Sequence, residues 1–154
     1  MNGWLVGGVA LATAVGMLLP LQALINARLG QASAGPLFAS FASFLVGTLV
    51  LALALLATRT PLPEARTLAA LPPWVWLGGA IGAAFVLCAT VLVPKLGAAG
   101  LICLIVFGQL IGSLLFDHFG VLGDVRPVDA WRVLGAVLVA VGVVLVLRPV
   151  QAPA

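Results

Sequence analysis

Residues 96–120 read LGAAGLICLIVFGQLIGSLLFDHFG. The apolar part of this stretch is long enough to cross a hydrocarbon core of ~30 Å, which needs ~20 residues of helix. It carries one amide, Gln109, inside the run and ends on the ionisable pair Asp117 and His118. A helix in lipid satisfies its own backbone groups, but not a side-chain amide. Gln109, Ser113 and Asp117 follow one another at steps of four, which puts them on one helix face. Gly108 and Gly112 form a GxxxG beside that face, so a neighbouring helix can approach closely. The stretch is therefore a membrane span whose polar stripe requires a partner or a wet cavity.

Composition extends this reading to the whole chain. Of 154 residues, 64% are hydrophobic and 7% charged, and mean hydropathy is +1.30. Soluble domains carry roughly a quarter charged residues, so the class is integral membrane and all-α. The net charge of +3 comes from seven basic residues spread thinly along the sequence, which excludes a nucleic-acid surface. Cys88 and Cys103 lie in apolar runs without CxxC or Cys/His spacing, so they read as core thiols, with no metal site. No Lys or Arg precedes the first apolar run, and that run exceeds the length of a signal-peptide core, so it reads as a retained span.

Five spans are expected within one membrane domain over 1–154, at about 4–29, 36–58, 74–93, 97–116 and 129–147. In the first, Pro20 is expected to kink the helix or end its regular part. Beyond it, Gln22 and Asn26 share a face. They either line a cavity beside the kink or mark the interfacial end of the helix. The second span opens on Pro36, a residue suited to a first helical turn. Its Pro36, Ser40, Ser43 and Gly47 form a small-residue stripe. That stripe serves packing alone, or the two hydroxyls also face substrate. Residues 59–73 hold Arg59, Glu64 and Arg66 among four prolines. They read as an extramembrane connection with a short surface helix across 64–71.

Trp74 and Trp76 suit the interfacial belt at the start of the third span, and Gly78, Gly79 and Gly82 allow close packing. Pro94, Lys95 and Gly97 read as a tight turn, which makes spans three and four an antiparallel hairpin. Residues 117–128 read as a loop. Its His118 is either solvated or handles protons. Asp129 is a plausible N-cap for span five, with Trp131 and Arg132 interfacial. The interior of that span is free of polar groups.

With five spans, one membrane side receives Arg59, Arg66, Arg126 and Arg132, and the other receives Arg28, Lys95 and Arg148. Orientation follows an excess of Lys and Arg in cytoplasmic loops, and a difference of one gives almost no instruction. The chain is expected to insert both ways, or with a weak bias toward N-terminus inside. Many transporters place two inverted repeats around a site near the bilayer midplane. No internal repeat is evident here, so two oppositely inserted copies would supply one, across an isologous interface.

The segments PLQALINARLG, GPLFASFASFLVG and LGAAGLICLIVFGQLIGSLLFDHFG resemble the YdcZ-type members of the drug/metabolite transporter superfamily, and the resemblance covers nearly the whole chain. It implies an inner-membrane exporter whose five spans are half of a ten-helix bundle, completed by an antiparallel homodimer or by an oppositely oriented paralogue. It carries over Gln22, Asn26, Ser43, Gln109 and Asp117 as motif residues. Small multidrug exporters of the wider superfamily use a membrane-embedded glutamate. The only glutamate here, Glu64, lies in a connection, so that coupling mechanism is not expected.

The expected function is secondary transport of a small polar solute by alternating access, with no cofactor. Gln22, Asn26, Ser40, Ser43, Gln109, Ser113 and Asp117 are the cavity candidates. Gly47, Gly78, Gly82, Gly108 and Gly112 are the helix-packing positions, and Phe85 and Phe107 are candidate apolar or cation–π walls. Arg28 either attracts an anionic group or snorkels to the interface. A dual-topology ion channel and a non-transporting scaffold or accessory subunit are the alternatives. An enzyme is not expected, since no nucleophile triad, metal spacing or phosphate-cradling loop is present.

Overall fold

Helix α1, Gly3–Ala32, is the first of five α-helices in the computed structural model, which describes residues 3–148 and contains no strand among them. The tail beyond Arg148 lies outside the described residues. Helix α1 continues through Pro20, so of the two expected outcomes, a kink or an end to the regular helix, the second does not occur. Proline costs one backbone hydrogen bond, and membrane helices tolerate it where neighbouring groups compensate. Helix α1 also outlasts its expected end at residue 29, because Gln31 and Ala32 continue it. Only residues 33–35 then connect it to α2, Pro36–Ala57. Gly30 makes this return possible, since a Cβ there would stand 3.3 Å from the backbone of Gly35 and Pro36.

The connection after α2 contains the short α3, Ala65–Ala69, followed by a 3-10 turn over Pro73–Trp76. Helix α4 then spans Leu77–Phe119 and α5 spans Ala130–Val146. A break does fall within the turn expected at 94–97: helical geometry is interrupted at Gly97, at φ 70° and ψ 160°, while Pro94 continues the helix before it. A positive φ is open to glycine at little cost, whereas a side chain there would be strained. The loop expected from residue 117 is corrected. Asp117 and His118 belong to the last turn of α4, and the loop begins at Gly120.

Three helical stretches are long and apolar enough to cross a membrane: Gly3–Ala32, Pro36–Ala57 and Pro73–Phe119. Helix α5 is a shorter apolar helix of 17 residues. The third stretch is interrupted at Gly97, and its parts 77–96 and 98–119 are each close to the ~20 residues that a bilayer core requires. Large apolar side chains face outward throughout, with Trp4 86% and Trp131 81% exposed. A water-facing surface of this kind would aggregate, whereas lipid covers it without penalty. The chain is a multi-pass membrane protein.

The backbone divides between Lys95 and Leu96 into two units. In the first, Ala23, Ala27, Ala39, Val86, Ala89 and Val93 are buried. These small side chains let helices approach closely, which is how packing replaces the hydrophobic effect in lipid. In the second unit, the part of α4 after Gly97 pairs with α5 in antiparallel fashion. A Cβ on Gly100 would meet Leu147 Cδ2 at 3.0 Å, while at the other end Asp117 stands beside Arg132. Leu101, Ala136 and Val143 are buried here.

Candidate functional site

The candidate polar residues fall in both units. In the first unit, Asn26 on α1 is only 4% exposed, and its Nδ2 donates to Ser43 Oγ on α2 at 3.3 Å. An unpaired amide at that depth would cost several kcal/mol on water-to-hydrocarbon scales, roughly 4–8 kcal/mol, so this bond ties the two helices together. Ser40 is buried, and its hydroxyl donates to the carbonyl of Pro36 one turn back at 2.9 Å. It borders an apolar groove of about 350 Å³ with Leu37, Phe41 and Phe44 on α2 and Ala83 and Leu87 on α4. Gln22 is exposed and makes no side-chain hydrogen bond among the described residues. The structure therefore brings Asn26 and Ser43 together, completes Ser40 on its own helix, and leaves Gln22 facing outward.

Packing glycines follow the same division. Gly82 lies against Phe44, whose ring would stand 3.3 Å from an added Cβ. Gly47, Gly78 and Gly108 have nothing within 4 Å among the described residues, and Gly112 meets only Phe116 of its own helix.

The second unit builds its site where α4 ends and α5 begins. Asp129 caps α5, its Oδ1 accepting the Arg132 N–H at 2.9 Å. Arg126 N–H donates to the Asp117 carbonyl at 2.7 Å, and Val128 N–H donates to His118 Nδ1 at 3.3 Å. The loop is thus pinned at the last turn of α4. His118 is consequently a positioned acceptor, with its ring edge-on to Phe119 at 5.0 Å.

This arrangement presents Asp117 to Arg132. Arg132 Nη1 is 3.6 Å from Asp117 Oδ2, and its Nε is 3.9 Å from Asp129 Oδ2. Both distances exceed hydrogen-bonding range. The two side chains are 38% and 46% exposed, and pairs this open to solvent contribute ~0–1 kcal/mol. Each charge also sits at the unfavourable end of its helix dipole. A carboxylate in a last turn and a guanidinium in a first turn each lose ~0.3–1 kcal/mol relative to the reverse placement. Stability alone does not account for this pair.

Asp117 and Arg132 line a groove of about 430 Å³ together with Ser113, Leu110, Gly135 and Val139. Ser113 and Asp117 are thus brought together. Gln109 lies one turn further along the same face, exposed and without a side-chain hydrogen bond among the described residues. It stands midway along 98–119. Phe107, expected as a wall beside these polar groups, instead lines a separate apolar groove of about 590 Å³ with Ile111, Leu115 and His118. Arg132 is the residue that sequence reasoning assigned to the interface alone. Its signal was present in the sequence, since a helix capped by Asp129 places Arg132 in the first turn, against the dipole.

Among the described residues, no group of three or more His, Cys, Asp or Glu side chains is arranged to hold a metal. The chain matches, over residues 7–145, a family of the DMT type described as "putative inner membrane exporter, YdcZ". No curated protein and no solved structure matches it.

Proposed function

The chain belongs to the YdcZ family of the drug/metabolite transporter superfamily, described as inner-membrane exporters, and from that premise we propose that it is a secondary transporter that exports a small polar solute by alternating access. Five spans carry the pathway. Helix α4 supplies two of them, 77–96 and 98–119, each close to the ~20 residues that a bilayer requires, and α5 supplies the fifth. Two copies inserted in opposite directions form the ten-helix bundle, with the polar face of each second unit turned toward its partner. An oppositely oriented paralogue would fill the same place.

The observation that carries this reading is Gln109. It is an exposed amide without a hydrogen-bond partner among the described residues, at the midpoint of a segment long enough to span. Lipid cannot satisfy an amide, and polar groups at that depth turn toward a bundle interior or a water-filled cavity. Ser113, Asp117 and Arg132 extend the polar face toward the interface, while Ile111 and Leu115 occupy the opposite, apolar groove.

Cysteine accessibility tests this without knowing the substrate. In a Cys88→Ala, Cys103→Ala background, Gln109→Cys reacts with a water-soluble maleimide and Leu115→Cys does not. Equal reactivity at the two positions, or none at Gln109→Cys, overturns the assignment of a wet pathway to this face. A reactive Gln109→Cys in a chain that moves no solute would leave the scaffold alternative standing. Flux that fails to saturate would favour the channel.

A further inference from the structure

The part of α4 after Gly97 has two faces. Toward α5 it presents Cys103, Val106, Phe107, Leu110 and Leu114, which line the grooves between the two helices. Ile105, Gly108, Gln109 and Gly112 recur at helical spacing on the other side, and none of them lines those grooves. Among the described residues, a Cβ added to Gly108 would have nothing within 4 Å, and one added to Gly112 would meet only Phe116 of its own helix, at 3.8 Å. Gln109 is exposed and makes no side-chain hydrogen bond among them. This free face is also centred on its span, because the midpoint of 98–119 falls between Gly108 and Gln109.

The two ends of the α4–α5 pair carry opposite charge. Where α4 stops and α5 begins, Asp117, Asp124 and Asp129 outnumber Arg126 and Arg132. Lys95 and Arg148 flank the other end, at which Gly100 approaches Leu147. A second copy laid alongside in the same direction sets each end against its like. One laid in the opposite direction sets each end against its complement. We infer that the free face of α4 is a self-complementary interface, in which Gln109 faces Gln109 of the partner subunit across the two-fold axis. That axis lies in the membrane plane, and two oppositely directed spans keep the same depth only when it passes through their midpoints. Gln109 then stands one residue, ~1.5 Å, from its own copy along the helix. Ile105 falls level with Gly112 of the partner subunit, a branched side chain entering the space that a glycine leaves. An amide both donates and accepts. The two amides can therefore pair, or jointly hold a hydrogen-bonding solute that enters between them. The polar site at the midplane is built from two copies and is incomplete in one.

The interface rests on the reading of an antiparallel homodimer with a wet pathway, and its test is separate. The full chain is kept in its membrane, in the Cys88→Ala, Cys103→Ala background. Ile105→Cys, Gln109→Cys and Gly112→Cys are oxidised one at a time with copper phenanthroline, and dimers are read on a non-reducing gel. A disulfide needs Cα atoms within about 7 Å of each other. Gln109→Cys is expected to become covalent dimer. Ile105→Cys and Gly112→Cys alone are expected to stay monomeric, because seven residues, ~10 Å along the helix, separate each from its own copy. Ile105→Cys co-expressed with Gly112→Cys regains the dimer, which also shows that both variants fold and assemble. That mixed pair retains Gln109, so it decides the register even where Gln109→Cys fails to assemble, and its failure to cross-link overturns the assignment. Self-dimers of Ile105→Cys or Gly112→Cys as abundant as the mixed dimer overturn it too, since a parallel pair gives that pattern. A maleimide-reactive Gln109→Cys alongside either result removes this interface and leaves the wet pathway intact.

Discussion

The two units of this chain treat the same kinds of residue in opposite ways. In the first, the amide of Asn26 is buried and bonded to Ser43, and Gly82 receives the ring of Phe44. In the second, among the described residues, the amide of Gln109 is exposed without a partner and Gly108 of the GxxxG has open space before it. Polar and small residues in a membrane helix therefore do not carry one meaning. Where the chain supplies the complement, they close a helix pair. Where it does not, they mark the face that something else must complete.

Leucine at the two glycines separates these meanings most strongly. Gly82→Leu drives a side chain into Phe44 and should destabilise the subunit by ~1–3 kcal/mol, the usual cost of overpacking. Gly108→Leu should leave the thermal stability of a single subunit unchanged, yet abolish self-association in cross-linking. Loss of subunit stability in the Gly108 variant would erase the contrast.

The amides should differ by less. Asn26→Leu removes the bond to Ser43 and should cost ~0.6–1.7 kcal/mol, the range for interhelical hydrogen bonds in membranes. Gln109→Leu should cost the subunit nothing in a denaturation titration while stopping transport. A Gln109 variant that loses as much stability as the Asn26 variant would show that its amide is bonded within the chain.

Asp129→Ala sharpens the comparison inside the second unit. Loss of the cap should cost ~1 kcal/mol in a denaturation titration. The smallest effect is expected from Asp117→Asn on stability, at most ~1 kcal/mol, because the pair it breaks is open to solvent.

Much of the fold was legible because lipid imposes simple rules. Pro36 begins α2 where a first-turn proline should, Asp129 caps α5, and α3 falls inside the polar connection. Breakers were read in part. The break between the third and fourth spans falls at Gly97, within the expected turn, whereas Pro20 and Pro94 both sit inside helices, since a long membrane helix can absorb a missing backbone donor. Of the site, the spacing of Gln109, Ser113 and Asp117 placed them on one face. Arg132 joins them only through the antiparallel return of α5, a tertiary fact that the spacing within α4 does not contain. Asn26 and Gln109 look alike in sequence, and only burial tells the finished amide from the open one.

The central claim is that an oppositely inserted second copy completes the open face. Leu62, 77% exposed in the connection after α2, offers a reporter position. In the Cys88→Ala, Cys103→Ala background, Leu62→Cys is labelled with a membrane-impermeant maleimide in intact cells and again after permeabilisation. Roughly half of the chains should label in intact cells and the rest only after permeabilisation, since the Lys and Arg count is almost balanced between the two sides. Uniform labelling of all chains in either step would contradict the antiparallel homodimer and direct the search to a separate, oppositely oriented partner.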